Sequence, residues 1–141
     1  MVLVGSSIWI EAARREGDLL IKVSLEALLG EFEALLCPPV RLEVLGGARA
    51  DTRKHLEAYF SVLPYLHVLE KDWQAAVAHA WKLRDRGLTV PWNDILIATL
   101  AVRANCRVYA RDQHFEAMAP LLGFSLYRPG CGGSYSDGNE E

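Results

Sequence analysis

Features that define several protein classes are scarce or missing from this 141-residue sequence. Its three cysteines, Cys37, Cys106 and Cys131, form no CxxC pair or Cys/His cluster, which argues against a zinc finger or a disulfide framework. We expect Cys37 and Cys106 to fill core space. No run of 18 apolar residues is present, so no membrane span is predicted. The N-terminus lacks a basic segment ahead of a long apolar stretch, and we predict a cytoplasmic protein without a secretory signal.

An excess of positive charge is also missing. Residues 1–128 contain 15 Lys and Arg and 15 Asp and Glu, and the net charge of -3 comes from Asp137, Glu140 and Glu141. The chain therefore lacks the basic surplus typical of proteins that grip a nucleic-acid backbone. The nucleotide-binding patterns GxGxxG and GxxxxGK[ST] are absent as well, which argues against a nucleotide-binding α/β protein.

What is present is an alternation of short apolar strands and amphipathic helices. Strands are predicted at 2–4, 35–37, 66–69, 107–110 and 124–127. Helices are predicted between them, including 24–36, 51–62, 72–86 and 113–122. This alternation predicts one α/β domain with a central, mainly parallel sheet over residues 1–128. Residues 129–141 are rich in Gly, Ser and acidic side chains, and we expect a poorly ordered tail.

Two of the predicted helices have informative apolar patterns. The helix that opens at Asp72 carries apolar residues at helical spacing, and we expect them to form its buried face: Trp73, Ala76, Val77, Ala80 and Trp81. The segment Ile95 to Val102 is apolar on every side, which indicates a helix packed on most of its circumference.

Three acidic residues fall where they can share one edge of the sheet. Asp94 lies in the first turn of a helix that is about 16 Å long at about 1.5 Å per residue, and the next strand returns over a similar length to Asp112. Glu43 lies on a short helix after Pro38-Pro39. If the first strand is parallel, Gly5 ends at the same edge, which is where open α/β sheets bind ligands.

Converging carboxylates repel one another unless a cation lies between them, and oxygen ligands suit Mg²⁺ or Mn²⁺. Such an ion can promote phosphodiester hydrolysis. Each acid also has a structural interpretation that stays open here. Glu43 can pair with Arg41, Asp94 can interact with the helix dipole, and Asp112 can cap the following helix.

Four segments in order resemble the PIN-domain family, specifically the VapC-type toxins of bacterial and archaeal toxin–antitoxin pairs. The segments are LVGSSIWIEAARREG, PPVRLEVLGGAR, WNDILIATLAV and CRVYARDQHFEAMA. The resemblance covers about residues 1–127. It implies a three-layer α/β/α fold and a metal-dependent endoribonuclease that cleaves RNA with Mg²⁺ or Mn²⁺. It also implies a cognate antitoxin protein as partner and a homodimer.

The resemblance assigns the catalytic and metal-binding acids to Glu43, Asp94 and Asp112. Ser7 matches a hydroxyl residue beside the acids, although it can equally cap the first helix. Asn93 is a weaker supporting candidate that N-capping also explains. Gly5 stands where the family has its first Asp, so we expect impaired or absent catalysis. A naturally degenerate member and a deliberate replacement of the acid both remain open.

A second function stays open beside the ribonuclease. A catalytically dead PIN domain would still bind an antitoxin, and the first helices offer Trp9, Ile10 and Phe32 as apolar docking residues. Core packing is the alternative role for these three. The histidines, His55, His67, His79 and His114, have no spacing suited to zinc or to a nucleophile–base pair, and we assign them to the surface or to packing.

Overall fold

The computed structural model describes residues 1–129 and the backbone of 135–137. Its centre is a parallel sheet with the order β2-β1-β3, formed by β1 (Val2–Val4), β2 (Ala34–Leu35) and β3 (Arg107–Tyr109). The three side chains of β1 have no exposed surface, as expected for a central strand covered on both faces. The predicted parallel α/β fold is confirmed.

Seven helices among the described residues flank this sheet in the three-layer arrangement. In chain order they are α1 (Ser6–Ala13), α2 (Leu19–Gly30), α3 (Pro38–Gly46), α4 (Arg53–Phe60), α5 (Glu70–Asp85), α6 (Trp92–Ala104) and α7 (Gln113–Leu122). Helix α1 packs on α2, and α6 packs on both α5 and α7. Helix α3 joins these groups because it contacts α1, α4 and α6. None of the helices described is long and apolar enough to cross a bilayer.

Helix α6 forms the middle of the core, as its sequence predicts. Every residue from Asp94 to Ala101 is buried, so the helix is covered on most of its circumference. It ends at Asn105, whose left-handed φ of 53° closes the helix before β3, a conformation that Asn tolerates better than most residues. Cys37 and Cys106 are free thiols in the core, which confirms their predicted role.

The second helix begins and ends earlier than predicted. It runs from Leu19 to Gly30 instead of 24–36, because the Asp18 carboxylate accepts a hydrogen bond from the Leu20 amide and caps the first turn. The chain leaves the helix at Phe32, which has a positive φ of 57°. This reversal leads the chain directly into β2.

The predicted strands 66–69 and 124–127 do not form as such. Single parallel bridges join Leu36 to Tyr65, just before the first of these segments, and Val108 to Leu126, within the second. The segment 66–69 forms no strand. Next to it, Pro64 accepts a hydrogen bond from the Leu36 amide but has no N–H to donate. Strand β4 (Tyr127–Pro129) instead pairs antiparallel with β5 (Tyr135–Asp137). The other residues of the predicted tail, 130–134 and 138–141, lie outside the described residues, as does Cys131.

The predicted buried face of α5 is wrong. Trp73, Val77 and Trp81 are exposed, while Ala76 and Ala80 are only half-buried. Helix α5 packs on α6 by another side, where Leu83 is buried and Asp72 pairs with Arg103 at 2.7 Å. The apolar spacing was therefore real, but no element among the described residues covers these rings.

Candidate functional site

The end of β1 brings Gly5 to the edge of the sheet at which the parallel strands finish. The Gly5 amide donates to the Tyr109 carbonyl at 2.8 Å, so β1 and β3 end side by side. The Gly5 carbonyl accepts from Ile8 and begins α1. Its φ of −77° and ψ of 164° are open to any residue. The backbone therefore does not require glycine at this position.

The two serines after Gly5 form hydrogen bonds to other segments of the edge. Ser6 Oγ donates to Glu43 Oε1 at 2.6 Å, and Ser7 Oγ accepts from the Arg111 amide at 3.0 Å. The N-cap of α1 is Gly5, without a side-chain hydrogen bond, so the capping role considered for Ser7 is wrong. Both hydroxyls instead connect the start of α1 to distant elements, α3 and the turn after β3.

Glu43 reaches this edge from α3. The helix starts with two prolines, a favourable first turn because the amides lost there have no partner inside the helix. Arg41 pairs with Glu57 at 3.7 Å, so the alternative Glu43–Arg41 ion pair is not formed. The carboxylate of Glu43 is bound to Ser6 instead.

Asp94 is the most buried carboxylate of the edge, with 9% of its surface exposed. Its Oδ2 lies 3.1 Å from Nδ1 of His114. Burial raises the pKa of Asp94, and repulsion from the Asp112 and Glu43 carboxylates raises it further, while His114 opposes both effects. The carboxyl groups of Asp112, from the β3–α7 turn, and of Glu43, from α3, thus act on Asp94. The strand and helix lengths predicted this proximity for Asp94 and Asp112 but did not place Glu43.

Asp112 and His114 come from the beginning of α7. Asp112 is the N-cap residue by its backbone, but its side chain makes no capping hydrogen bond. His114, assigned from the sequence to the surface or to packing, contacts Asp94 instead. The two-residue spacing from Asp112 was the only signal for it. This spacing does not predict the contact with Asp94 unless α7 is already known to start beside the first turn of α6.

Asn93 has a structural contact. It lies inside α6, whose N-cap is Pro91, so the N-cap interpretation is wrong. Its Nδ2 donates to the Pro39 carbonyl at 3.4 Å. Asn93 thereby joins the start of α6 to the start of α3, and it helps to hold Asp94 and Glu43 at the same edge.

The chemistry of this edge fits a divalent cation, although the ligand set is incomplete. The donors are carboxylate oxygens. The raised pKa of Asp94 comes first from burial and then from repulsion by Asp112 and Glu43, and a cation would relieve that repulsion. Within residues 1–129, however, no three His, Cys, Asp or Glu side chains are gathered closely enough to hold an ion as they stand. A Cβ on Gly5 would lie 3.3 Å from both Ala110 Cβ and the Tyr109 carbonyl, so an acid there fits after a shift of a few tenths of an ångström.

Glu11, which the sequence did not single out, supports the edge through its contact with Arg111. One carboxylate oxygen accepts from the Asp18 amide at 2.7 Å, and the other lies 2.9 Å from Arg111 Nη1 and 3.2 Å from Arg14 Nη1. The Asp18 hydrogen bond, together with both arginines, lowers the pKa of Glu11 against the effect of burial. Arg111 is therefore fixed by its side chain as well as by its amide, next to Asp112.

The fold, a parallel sheet flanked by helices, is that of an α/β domain of the PIN class. A family model described as PIN domain matches residues 2–121, and the chain belongs to the PIN-domain family and, within it, to the VapC ribonuclease type. It is 37% identical over 126 residues to VapC ribonuclease Mb1587 of Mycobacterium bovis and to Ribonuclease VapC11 of Mycobacterium tuberculosis. These matches cover 86% of this chain and 93% of each relative.

Solved structures share the same fold at lower identity. VapBC2 from Rickettsia felis, bound to a DNA fragment from its promoter, superposes with a TM-score of 0.71 and 21% identity over 84% of this chain and 93% of that one. A toxin–antitoxin complex from Klebsiella pneumoniae superposes with a TM-score of 0.67 and 17% sequence identity. The match covers 80% of this chain and 88% of that one. The expected fold and family are confirmed.

Proposed function

We propose that this chain is a VapC-type endoribonuclease toxin that works in the cytoplasm on RNA, with Glu43, Asp94 and Asp112 as its catalytic and metal-binding acids. The position of these carboxylates at one sheet edge carries the proposal, because Asp94 is buried there within reach of the charges of Asp112 and Glu43. Ser7 and Asn93 act in support, because each ties a loop or helix start to this edge. The relatives named as VapC ribonucleases support the reaction class.

The three acids would hold Mg²⁺ or Mn²⁺, which supplies neutralisation of the phosphodiester charge and acidification of a water in metal-assisted hydrolysis. Asp94 is held in place by α6 and by its contact with His114. Ser6 keeps one oxygen of Glu43 in place. Gly5 leaves the position of a fourth acid without a side chain, and we infer that activity is impaired or absent, because even a group that only supports a metal ligand typically contributes about 10- to 100-fold.

A Mg²⁺-dependent RNA cleavage assay tests this function on three proteins side by side. We expect Gly5→Asp to cleave at least about 10- to 100-fold faster than the unmodified chain. Asp94→Ala in the Gly5→Asp background should return cleavage to the level without enzyme, and replacing Mg²⁺ with EDTA should do the same. Equal cleavage by the chain with Gly5 and by Gly5→Asp would remove residue 5 from the site.

A second candidate function is binding of an antitoxin protein without catalysis. The toxin–antitoxin complex with the same fold supports such a partner, and Gly5 supports the loss of catalysis. Of the docking residues considered from the sequence, Trp9 is buried against Phe60, whereas Ile10 and Phe32 are exposed. Copurification of a small partner with a chain that stays inactive as Gly5→Asp would favour this function. In both cases we propose a homodimer.

A further inference from the structure

Arg111 lies beside the candidate site, one residue before Asp112. Its position is fixed at two points, because its amide donates to Ser7 Oγ at 3.0 Å and its Nη1 lies 2.9 Å from Glu11 Oε1. The side chain is nevertheless 49% exposed. Arg111 therefore presents a cation of fixed position to solvent next to the carboxylates of the sheet edge.

Most donors of this guanidinium are not used within the described part of the chain. A guanidinium carries five N–H donors in a planar fork. The contact with Glu11 uses Nη1, and among the described residues no acceptor lies on Nε or Nη2 of Arg111. The unused side of the fork is free to bind an anion from outside the chain.

Glu11 holds Arg111 in place but does not depend on it as a partner. One oxygen of this buried carboxylate accepts from the Asp18 amide at 2.7 Å, and the other also lies 3.2 Å from Nη1 of Arg14. The charge of Arg14 balances that of Glu11. The positive charge of Arg111 is therefore in excess at this position, and a structural ion pair alone does not account for it.

The charge of the candidate site makes such a cation useful for an RNA strand. The three carboxylates at the edge repel a polyanion, and a single divalent cation does not cancel their charge. Residues 1–128 have no basic surplus, so affinity for RNA cannot come from a generally positive surface. It has to come from individual cations near the site. Arg41, two residues before Glu43, pairs instead with Glu57 at 3.7 Å.

The geometry of Arg111 suits a phosphate group. The planar fork of a guanidinium matches two phosphate oxygens, and such charge-assisted pairs are stronger than hydrogen bonds between neutral groups. Glu11 and the Ser7 hydroxyl order the side chain and the backbone before a ligand arrives. Less conformational entropy is then lost when the phosphate binds.

We propose that Arg111 binds a backbone phosphate of the RNA strand, next to the phosphodiester that lies at Asp112. The inference rests on RNA as the substrate of the proposed function, but it does not require cleavage. Arg111 is a binding residue in this assignment, and Glu11 is a positioning residue that acts through it.

Binding of a fluorescently labelled single-stranded oligouridylate to the full chain tests the proposal. Fluorescence anisotropy is measured in Mg²⁺ and again in EDTA, and a denaturing gel checks that the RNA stays intact. Arg111→Gln should weaken binding by about 10-fold, as expected for a lost charge-assisted hydrogen bond. It should also reduce the slope of log K against log salt concentration by about 0.7, the value for one phosphate of a single strand. Arg111→Lys keeps the charge and should keep the slope.

Lys71→Gln is the matched control, because it also removes one exposed positive charge. Lys71 is next to Asp72, which pairs with Arg103 in the last turn of α6. It therefore lies at the end of the sheet opposite to the candidate site, and its loss should leave affinity and slope unchanged. Circular dichroism should be the same for all variants, because Glu11 keeps its other contacts in Arg111→Gln.

An unchanged affinity and salt slope in Arg111→Gln overturns the proposal, and so does a parent chain that binds no oligouridylate. Equal losses in Arg111→Gln and Lys71→Gln also overturn it, because net charge would then explain both. A slope that falls as far in Arg111→Lys as in Arg111→Gln has the same meaning. These results are separate from the cleavage assay, since an inactive Gly5→Asp removes the proposed reaction and leaves the phosphate contact in place.

Discussion

Two regions depart from the usual distribution of side chains in opposite directions. One is the acidic edge, formed by Glu43, Asp94 and Asp112, and the other is the tryptophan face, the exposed side of α5 with Trp73, Val77 and Trp81. At the edge, a carboxylate is buried next to two others. On the face, large apolar rings stand in water. Folded proteins rarely bury neighbouring carboxylates or expose connected aromatic surface. Each region is thus unfavourable in the isolated chain. In the function proposed here, a cation relieves the repulsion at the edge.

The two regions also differ in the contacts that fix their side chains in the fold. The edge joins four chain segments through short hydrogen bonds, among them Ser6 to Glu43 and Gly5 to Tyr109. The face belongs mainly to a single helix that is anchored from behind by Leu83 and by the ion pair of Asp72 and Arg103. A substitution at the edge should therefore affect several elements. One on the face should stay local.

The largest expected effect is a loss of stability from substitutions on the buried side of α5, compared with substitutions on its exposed side. Leu83→Ala removes a side chain that is 1% exposed and should lower the free energy of unfolding by about 2–5 kcal/mol. Trp81→Ala, on the exposed side, should change it by no more than about 0.5 kcal/mol in the monomer. Urea unfolding at low protein concentration measures both. A large loss for Trp81→Ala would mean that the face is already covered within one chain.

A smaller effect on the free energy of unfolding should distinguish the charge of a side chain at residue 5 from its size. Gly5→Asp and Gly5→Asn introduce side chains of similar size against Ala110, but only the first adds a carboxylate to the edge. Without metal, we expect the unfolding free energy of Gly5→Asp to be about 1 kcal/mol lower than that of Gly5→Asn. Mg²⁺ should stabilise Gly5→Asp selectively in thermal unfolding. Equal stabilities, or an equal response to Mg²⁺, would contradict a charged edge.

The smallest effect concerns the pH dependence of stability. Because the pKa of Asp94 is raised in the folded chain, the folded state keeps this proton to higher pH than the unfolded state. The free energy of unfolding should thus fall as pH rises from the ordinary value of about 3.9 through the folded-state pKa. Asp94→Asn should remove that fall and gain about 0.5–1 kcal/mol at neutral pH. Asp112→Asn should reduce the fall only in part, and an unchanged slope in Asp94→Asn would refute the assignment.

Much of the fold followed from local patterns. The predicted helix 113–122 agrees with α7 because Gly123 ends it with a φ of 87°, and the wholly apolar segment of α6 could only lie in the core. The pattern of α5 indicated an apolar side equally well. Periodicity does not say whether the partner of such a side is in the same chain, and this is why Trp73 and Trp81 were wrongly placed.

The candidate site was predictable where topology decides it and not where side-chain contacts do. The parallel strands β1 and β3 bring Gly5 and Asp112 to one edge, and helix α6, which precedes β3, starts at the same edge with Asp94. That convergence could be derived from element lengths. The contacts of His114 and Glu11 could not, because each joins segments whose approach depends on helix packing. Ser7 had two plausible roles, and only the position of the Arg111 amide distinguishes them.

The contacts of Glu11 and Ser7 with Arg111 should raise the free energy needed to open the turn after β3. They connect α1 with the turn after β3 across about a hundred residues of sequence, so this turn cannot open by itself without losing a hydrogen bond and an ion pair. In amide hydrogen exchange, the Arg111 N–H should therefore be protected like the amides of α1 rather than like an ordinary surface turn. Two segments that lie at opposite ends of the chain would then exchange as one cooperative unit.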